Sequence, residues 1–233
     1  MPRAAAAVLA LTLALVGVAC SPSKVETMDV VGAVPWADHE EARYRLVGRE
    51  GEEQGTGVLS IQREGDGFRL GLAYGDNSNS DETEVLVAAD TLKPRSLHRE
   101  ILNEGETEVL DVEYGPDEVR IRSGDRQSFL RLPEHSYDND SALFVWRTLP
   151  FADGLVAHYN TIVTNRRRTA VVTLKVVGRE RVEVPAGSFE AWRLEIRSGS
   201  IRQVAWYADN ERRDLVKYDN SQQVFLLEEV PEE

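Results

Sequence analysis

The sequence predicts a mainly β protein. Its expected form is a strongly curved antiparallel meander, a half-barrel or open barrel, plugged or capped by one short helix. Three observations carry this. From Ala42 onward apolar residues alternate with polar ones at period two, as in Phe68, Leu70, Leu72 and Tyr74, in Leu110, Val112 and Tyr114, and in Trp192, Leu194 and Ile196. Turn signals such as Glu64-Gly65-Asp66-Gly67, Asn103-Glu104-Gly105 and Ser198-Gly199-Ser200 separate these runs at the roughly 8–12-residue spacing of short hairpin-linked strands. A single segment, Ala142 to Leu149, reads as helix, with polar Asp138 to Ser141 before it and Pro150 after it.

The first twenty residues stand apart. Arg3 precedes an apolar run from Ala4 to Val16, shorter than the roughly 20 residues that cross a bilayer. It suits a secretory signal peptide over residues 1–19. Cys20, the one cysteine of the chain, follows Ala19 directly and resembles the cysteine of a bacterial lipobox, with Gly17 where leucine is usual. That resemblance implies diacylglycerol on Cys20, further acylation by palmitate or a similar chain, and anchoring on the outer face of the cytoplasmic membrane, or in the outer membrane of a two-membrane cell. Residues 20–33 are then a lipidated N-terminus and tether, and residues 34–233 one β domain.

Along that domain the strands fall into two meanders, about 42–132 and 155–229, joined by the helix, with about twelve to fourteen strands in one sheet. Thr169 to Val177 and Val204 to Ala208 are apolar on both faces and call for cover on both sides. Gly71, Ala73 and Gly75 form a stripe of small residues that permits close approach. The helix is apolar nearly all round, so it should be buried within the curve of the sheet. Leu143, Phe144, Trp146, Trp192 and Trp206 are the candidates to line an apolar cavity there, although core packing is the usual fate of tryptophan.

Two further stretches carry a family resemblance. Val182-Glu183-Val184-Pro185-Ala186-Gly187-Ser188-Phe189 and Ala205-Trp206-Tyr207-Ala208-Asp209, with Leu215-Val216-Lys217 after it, resemble hairpins of a bacterial family of exported proteins known as domain of unknown function 3108. Pro185 and Gly187 are turn residues, one fixing φ and the other free to take φ > 0. The resemblance implies a curved sheet like the half-barrel of the LolA and LolB lipoprotein carriers, which hold acyl chains in a concave cavity.

Composition excludes several functions. With 27 Lys+Arg against 40 Asp+Glu and a net charge of −13, the chain is a poor nucleic-acid binder, and its body should stand off an anionic bilayer. No G-x-S-x-G, P-loop or dinucleotide motif occurs, and His39, His98, His135 and His158 are isolated, so no catalytic or metal site is expected and no cofactor beyond the lipid on Cys20. Arg166-Arg167-Arg168 reads as a solvated hairpin tip, or else as a contact to an anionic headgroup. The leading expectation is a non-enzymatic envelope lipoprotein that binds a lipid or other apolar ligand, with the helix as a movable gate. The alternative is a structural or interaction protein with a packed core and a protein partner. Replacing Cys20 by serine should release the protein from membranes and abolish labelling by radioactive palmitate. A wild-type protein that never takes up the label would remove the anchor.

Overall fold

The computed structural model describes residues 25–76 and 78–230. Cys20, the signal peptide and the first part of the expected tether lie outside the described residues. The first meander comprises β1 (His39–Gly48), β2 (Glu53–Glu64), β3 (Gly67–Gly75), β4 (Asn79–Ala88), β5 (Pro94–Asn103), β6 (Glu106–Tyr114), β7 (Glu118–Ser123) and β8 (Arg126–Arg131). A short β9 (Ser136–Asp138) leads into the helix α1 (Ala142–Arg147). The second meander comprises β10 (Val156–Val163), β11 (Arg168–Val184), β12 (Gly187–Ser198), β13 (Ile201–Ala208), β14 (Leu215–Asp219) and β15 (Gln223–Glu229).

All fifteen strands belong to one open sheet, ordered from β8 back to β1 and then from β15 back to β9. The meanders join where β1 and β15 pair antiparallel, Tyr44 opposite Leu227. β9 is the exception to the antiparallel rule and lies parallel to β10. It is also the strand that period-two reading passes over, because its three residues, Ser136, Tyr137 and Asp138, are all buried and show no alternation.

Topology forces the sheet to curl. β8 and β9 are its two edges, yet the chain passes from Arg131 to Ser136 in a link that spans at most about 18 Å. Laid flat, so many strands would be roughly 65 Å across at ~4.8 Å each. The edges must therefore come round towards each other, and side chains bridge them: the Tyr114 hydroxyl of β6 donates to the Asp138 carboxylate of β9, and the Lys93 ammonium sits 4.0 Å from the centroid of the Tyr137 ring. The link and the β2–β3, β4–β5 and β6–β7 turns gather at one end of the half-barrel. The β1–β2, β3–β4, β12–β13 and β14–β15 turns lie at the other.

Alternation sets what faces inward. In β1, Ala42, Tyr44 and Leu46 are buried while Glu41, Arg43 and Arg45 are exposed. One apolar cluster runs through both meanders and around α1, where Trp36 meets Phe68 and Phe144 edge-on, with centroids 5.9 Å and 6.4 Å away. All six residues of α1 are buried. The helix is shorter than the predicted segment, ending at Arg147, and Ser141 does not cap it; the Ser141 hydroxyl donates instead to the Asp138 carbonyl.

The helix is held to the sheet at several points. Arg147 donates to Glu40 Oε1 at 2.6 Å, to Asp214 Oδ1 at 3.0 Å and to the Arg212 carbonyl at 2.8 Å. The Tyr207 hydroxyl donates to the Leu143 carbonyl at 2.7 Å, and the Trp146 indole N–H to the Tyr159 oxygen at 2.9 Å. Part of the expected tether, residues 20–33, packs on the sheet. Asn160 donates to Thr27, Met28 N–H to the His158 carbonyl, Gly32 N–H to Thr148 Oγ1, and Val30 is buried.

Of the two segments expected to need cover on both faces, Val204 to Ala208 finds its second cover on the outside, whereas Val171 and Val177 of β11 stay exposed. The register of β11 and β12 shifts between Val176 and Gly178, where Gly178 takes φ +149°, and past this bulge Val182 and Ala191 join Trp206, Ala208 and Val216 in a second, separate cluster. Val184 pairs with Gly187 around Pro185-Ala186, Gly187 adopts φ +133°, and Ala186 N–H donates to the Leu227 carbonyl of β15 at 3.0 Å. The turn thus docks on the β15 backbone, with Ala186 against the main apolar cluster. The Gly71–Ala73–Gly75 stripe also faces outward, on the side of Arg69, which pairs with Glu64 and Glu84.

Removing a partner from a buried ion cluster leaves charge without compensation, at a cost of about 3–5 kcal/mol, whereas exposed pairs contribute about 0–1 kcal/mol. Urea denaturation should accordingly show a large loss of stability for Arg147→Ala, whose carboxylate partners stay buried, and little change for Arg69→Ala on the exposed outer face.

Candidate functional site

Where the link closes one end, the opposite end is open. Between the start of α1 and the β12–β13 and β14–β15 turns lies a cleft of about 680 Å³, within the roughly 300–1,000 Å³ typical of small-ligand sites. Its floor is apolar: Leu143 and Trp146 of α1, Leu72 of β3, Tyr218 of β14 and Phe225 of β15, of which all but Leu72 are buried. Its rim is polar and more exposed, with Asn139, Arg166, Arg202, Gln203 and Gln222. A side branch of about 260 Å³ runs past Tyr159 and Thr161 towards Arg166 and Arg168.

Parity along each element decides where the predicted cavity residues go. Leu143 and Trp146 line the cleft. Phe144 projects from another side of the helix, against Trp36, and borders a gap of only about 10 Å³. Trp192 lies at the closed end, stacked on Phe151 with centroids 6.0 Å apart, its indole N–H donating to Asp209. Trp206 is on the outer face, where its N–H donates to Glu180 at 2.6 Å and Lys217 covers its ring. The cleft is therefore amphipathic, not the uniformly greasy hollow that those five residues together would make.

One wall of the cleft is a buried polar network that the sequence reading missed. Arg99 of β5, whose side chain is 8% exposed, donates to Asp81 Oδ1 at 2.7 Å and to Asp140 Oδ2 at 3.3 Å. The Tyr74 hydroxyl donates to Asp81 Oδ2 at 2.7 Å. Behind Asp140, Asp138 accepts the Tyr114 hydroxyl and, at 2.6 Å, the Asp140 N–H. Burial pushes the Asp138 carboxyl well above the usual carboxylate range, and the charge of Asp140 adds to this. Burial raises Asp140 too, against the opposing pull of Arg99. Among the described residues no group of three metal-ligating side chains is assembled.

A usable signal for this network was present. Leu97, Arg99 and Ile101 share one parity of β5; Asp81, Thr83, Val85 and Val87 share one parity of β4; Glu40 shares the parity of Ala42, Tyr44 and Leu46 in β1. A charge on the apolar parity of a strand must be buried with a partner.

Residues 41–224 match the family model described as protein of unknown function (DUF3108). The chain belongs to the DUF3108 family. Among solved structures, a β-barrel-like protein of domain of unknown function DUF1849 from Brucella abortus resembles this DUF3108 chain at 10% identity and a TM-score of 0.59, covering 82% of this chain and 96% of its own. The likeness is one of fold. A protein from Bacteroides fragilis described as exported, of YmcC-like fold, reaches a TM-score of 0.32 at 14% identity, over 88% of this chain and all of its own (100%). A protein from Parabacteroides distasonis described as a lipoprotein reaches 0.34 at 12% identity, with the same shares of 88% and 100%. Scores this low bear on neither fold nor role. No curated protein matches the chain.

The raised carboxyls give this DUF3108 chain an unusual pH dependence. A carboxyl held above 3.8 in the folded state takes up protons on folding, so stability falls as pH rises from 3.8 through its folded value. His98, raised chiefly by its hydrogen bond to Asp111, acts in the same direction above its ordinary value. Asp138→Asn isolates the buried carboxyl, because an amide there can still accept the Asp140 N–H and donate to the Tyr114 oxygen. Melting temperatures measured from pH 5 to pH 8 should decline in the wild type and decline less in Asp138→Asn.

Proposed function

We propose that this DUF3108 protein is an exported, lipid-anchored envelope protein that binds a lipid or another apolar ligand and has no catalytic activity. One observation carries the binding role: Trp146, Tyr218 and Phe225 form the floor of an open cleft of about 680 Å³ within the curve of the sheet. Apolar surface moved from water onto that floor gains about 25 cal/mol per Å². Because α1 is held by Arg147 and Tyr207, the ligand enters between the turns of the open end and the helix stays in place. The signal-like residues 1–19 and the lipobox-like Cys20 support the cellular setting, with the body held off the bilayer by its net charge of −13.

A specific observation favours a second reading, a scaffold that meets a protein partner. On the edge strand β8, Phe129 is 53% exposed beside Pro116 and Leu130. Native mass spectrometry after incubation with a bacterial lipid extract separates the two. The binding reading expects discrete lipid adducts that are lost on Leu72→Gln, a change at a half-buried floor position. A protein that stays free of adducts overturns it and leaves the scaffold, for which Phe129→Asp should remove the dominant crosslinked partner.

A further inference from the structure

We infer that the cleft selects amphiphiles with an anionic head, an acyl chain ending in a phosphate or carboxylate, and that Arg166 and Arg202 at the rim hold that head. The inference rests on the lipid-binding reading and narrows it. Carboxylates are in excess in this chain, and several arginines elsewhere on its surface pair with them: Arg43 with Glu41, Arg95 with Asp66, Arg122 with Glu113, Arg179 with Asp209. Among the described residues Arg49, Arg63, Arg126 and Arg131 have no such partner, and neither do Arg166, Arg168 and Arg202, which are set apart by converging on one cleft and its side branch. They come from two turns far apart in sequence. The first is the 3₁₀ turn Thr164–Arg166 before β11, and the second is the start of β13. The fold brings both to one mouth.

Arg166 and Arg202 line the cleft, and Arg166 and Arg168 line its side branch. A phosphate or carboxylate fits the planar fork of arginine in two parallel hydrogen bonds. The order of chemistry along the cleft matches an amphiphile. Arginines and the amides of Gln203 and Gln222 sit outermost, and Trp146, Tyr218 and Phe225 sit innermost. Deeper in, Asp140 already occupies Arg99, so an anionic head finds no free cation below the rim and stays at the mouth while the tail lies on the floor.

Calorimetric titration of the full chain carrying Cys20→Ser, which has no acyl anchor and needs no detergent, tests this with three probes: dodecyl phosphate, dodecanol and inorganic phosphate. Dodecyl phosphate should bind at least about tenfold more tightly than either of the others, the scale of one charge-assisted hydrogen bond. The double variant Arg166→Gln, Arg202→Gln should bring dodecyl phosphate to the level of dodecanol, leave dodecanol unchanged, and keep the melting temperature, since both side chains are exposed. Equal binding of dodecyl phosphate and dodecanol overturns the head-group selection and leaves the lipid reading standing. Inorganic phosphate binding as tightly as dodecyl phosphate makes the rim a site for free anions and also overturns it. Binding of neither amphiphile overturns the lipid reading itself.

Discussion

A short stretch of chain governs this molecule. Arg131 to Ser136 ties together the two outermost strands of a fifteen-stranded sheet, and no flat or gently twisted sheet of that width satisfies the tie. Curling is thus a covalent requirement before it is a packing preference. It gives the sheet an inside, it places the helix there, and it determines which end is shut. Tyr114 reaching Asp138 and Lys93 covering Tyr137 are consequences of edges already brought near.

The inside created in this way is too crowded to be a simple lipid tunnel. The helix occupies the half nearest the link, fixed by charges that would be costly there without one another: Arg147 against Glu40 and Asp214. At the other half a second buried guanidinium, Arg99, stands between Asp81 and Asp140 and forms a polar wall for the remaining space. The cleft owes its shape to that division. Aromatic rings from α1, β14 and β15 face a volume that the helix is too short to fill, and the hairpin turns around the opening contribute the polar groups at its edge.

Most of the architecture was legible in the sequence because it rests on period-two alternation and on turn residues, both local. The Pro185 and Gly187 turn is the clearest case, since its φ requirement is visible in the residues themselves. What local pattern does not encode is which face of a strand turns inward once a register shift has intervened. Val182 lies outside for that reason, past the shift at Gly178, whereas Trp206 and the Gly71–Ala73–Gly75 stripe lie outside through the plain parity of β13 and β3, which their side-chain types do not announce. Nor does alternation announce that a charge sits on the buried parity. Arg99, Asp81 and Glu40 look like ordinary strand charges until each is counted with its apolar neighbours two residues away, and Arg147 looks like the soluble end of a greasy helix. Tyr74 reaches Asp81 across a single hairpin, but Asp140 and Asp214 come from segments remote from Arg99 and Arg147, so only the assembled sheet brings those pairs together.

The pairing of β1 with β15 has a kinetic side. Arg43 and Glu229 lie opposite each other in the middle of the sheet, and β15, which joins the two halves there, is the last of the fifteen strands to leave the ribosome. Until it arrives, β1 presents a bare row of amide and carbonyl groups to the surroundings, an edge that other chains can template on. A long-range closure of this kind slows folding through the entropy of bringing remote segments together. The half-made sheet is therefore the stage at which this chain is most open to aggregation, and the stage at which a chaperone would have the most to shield.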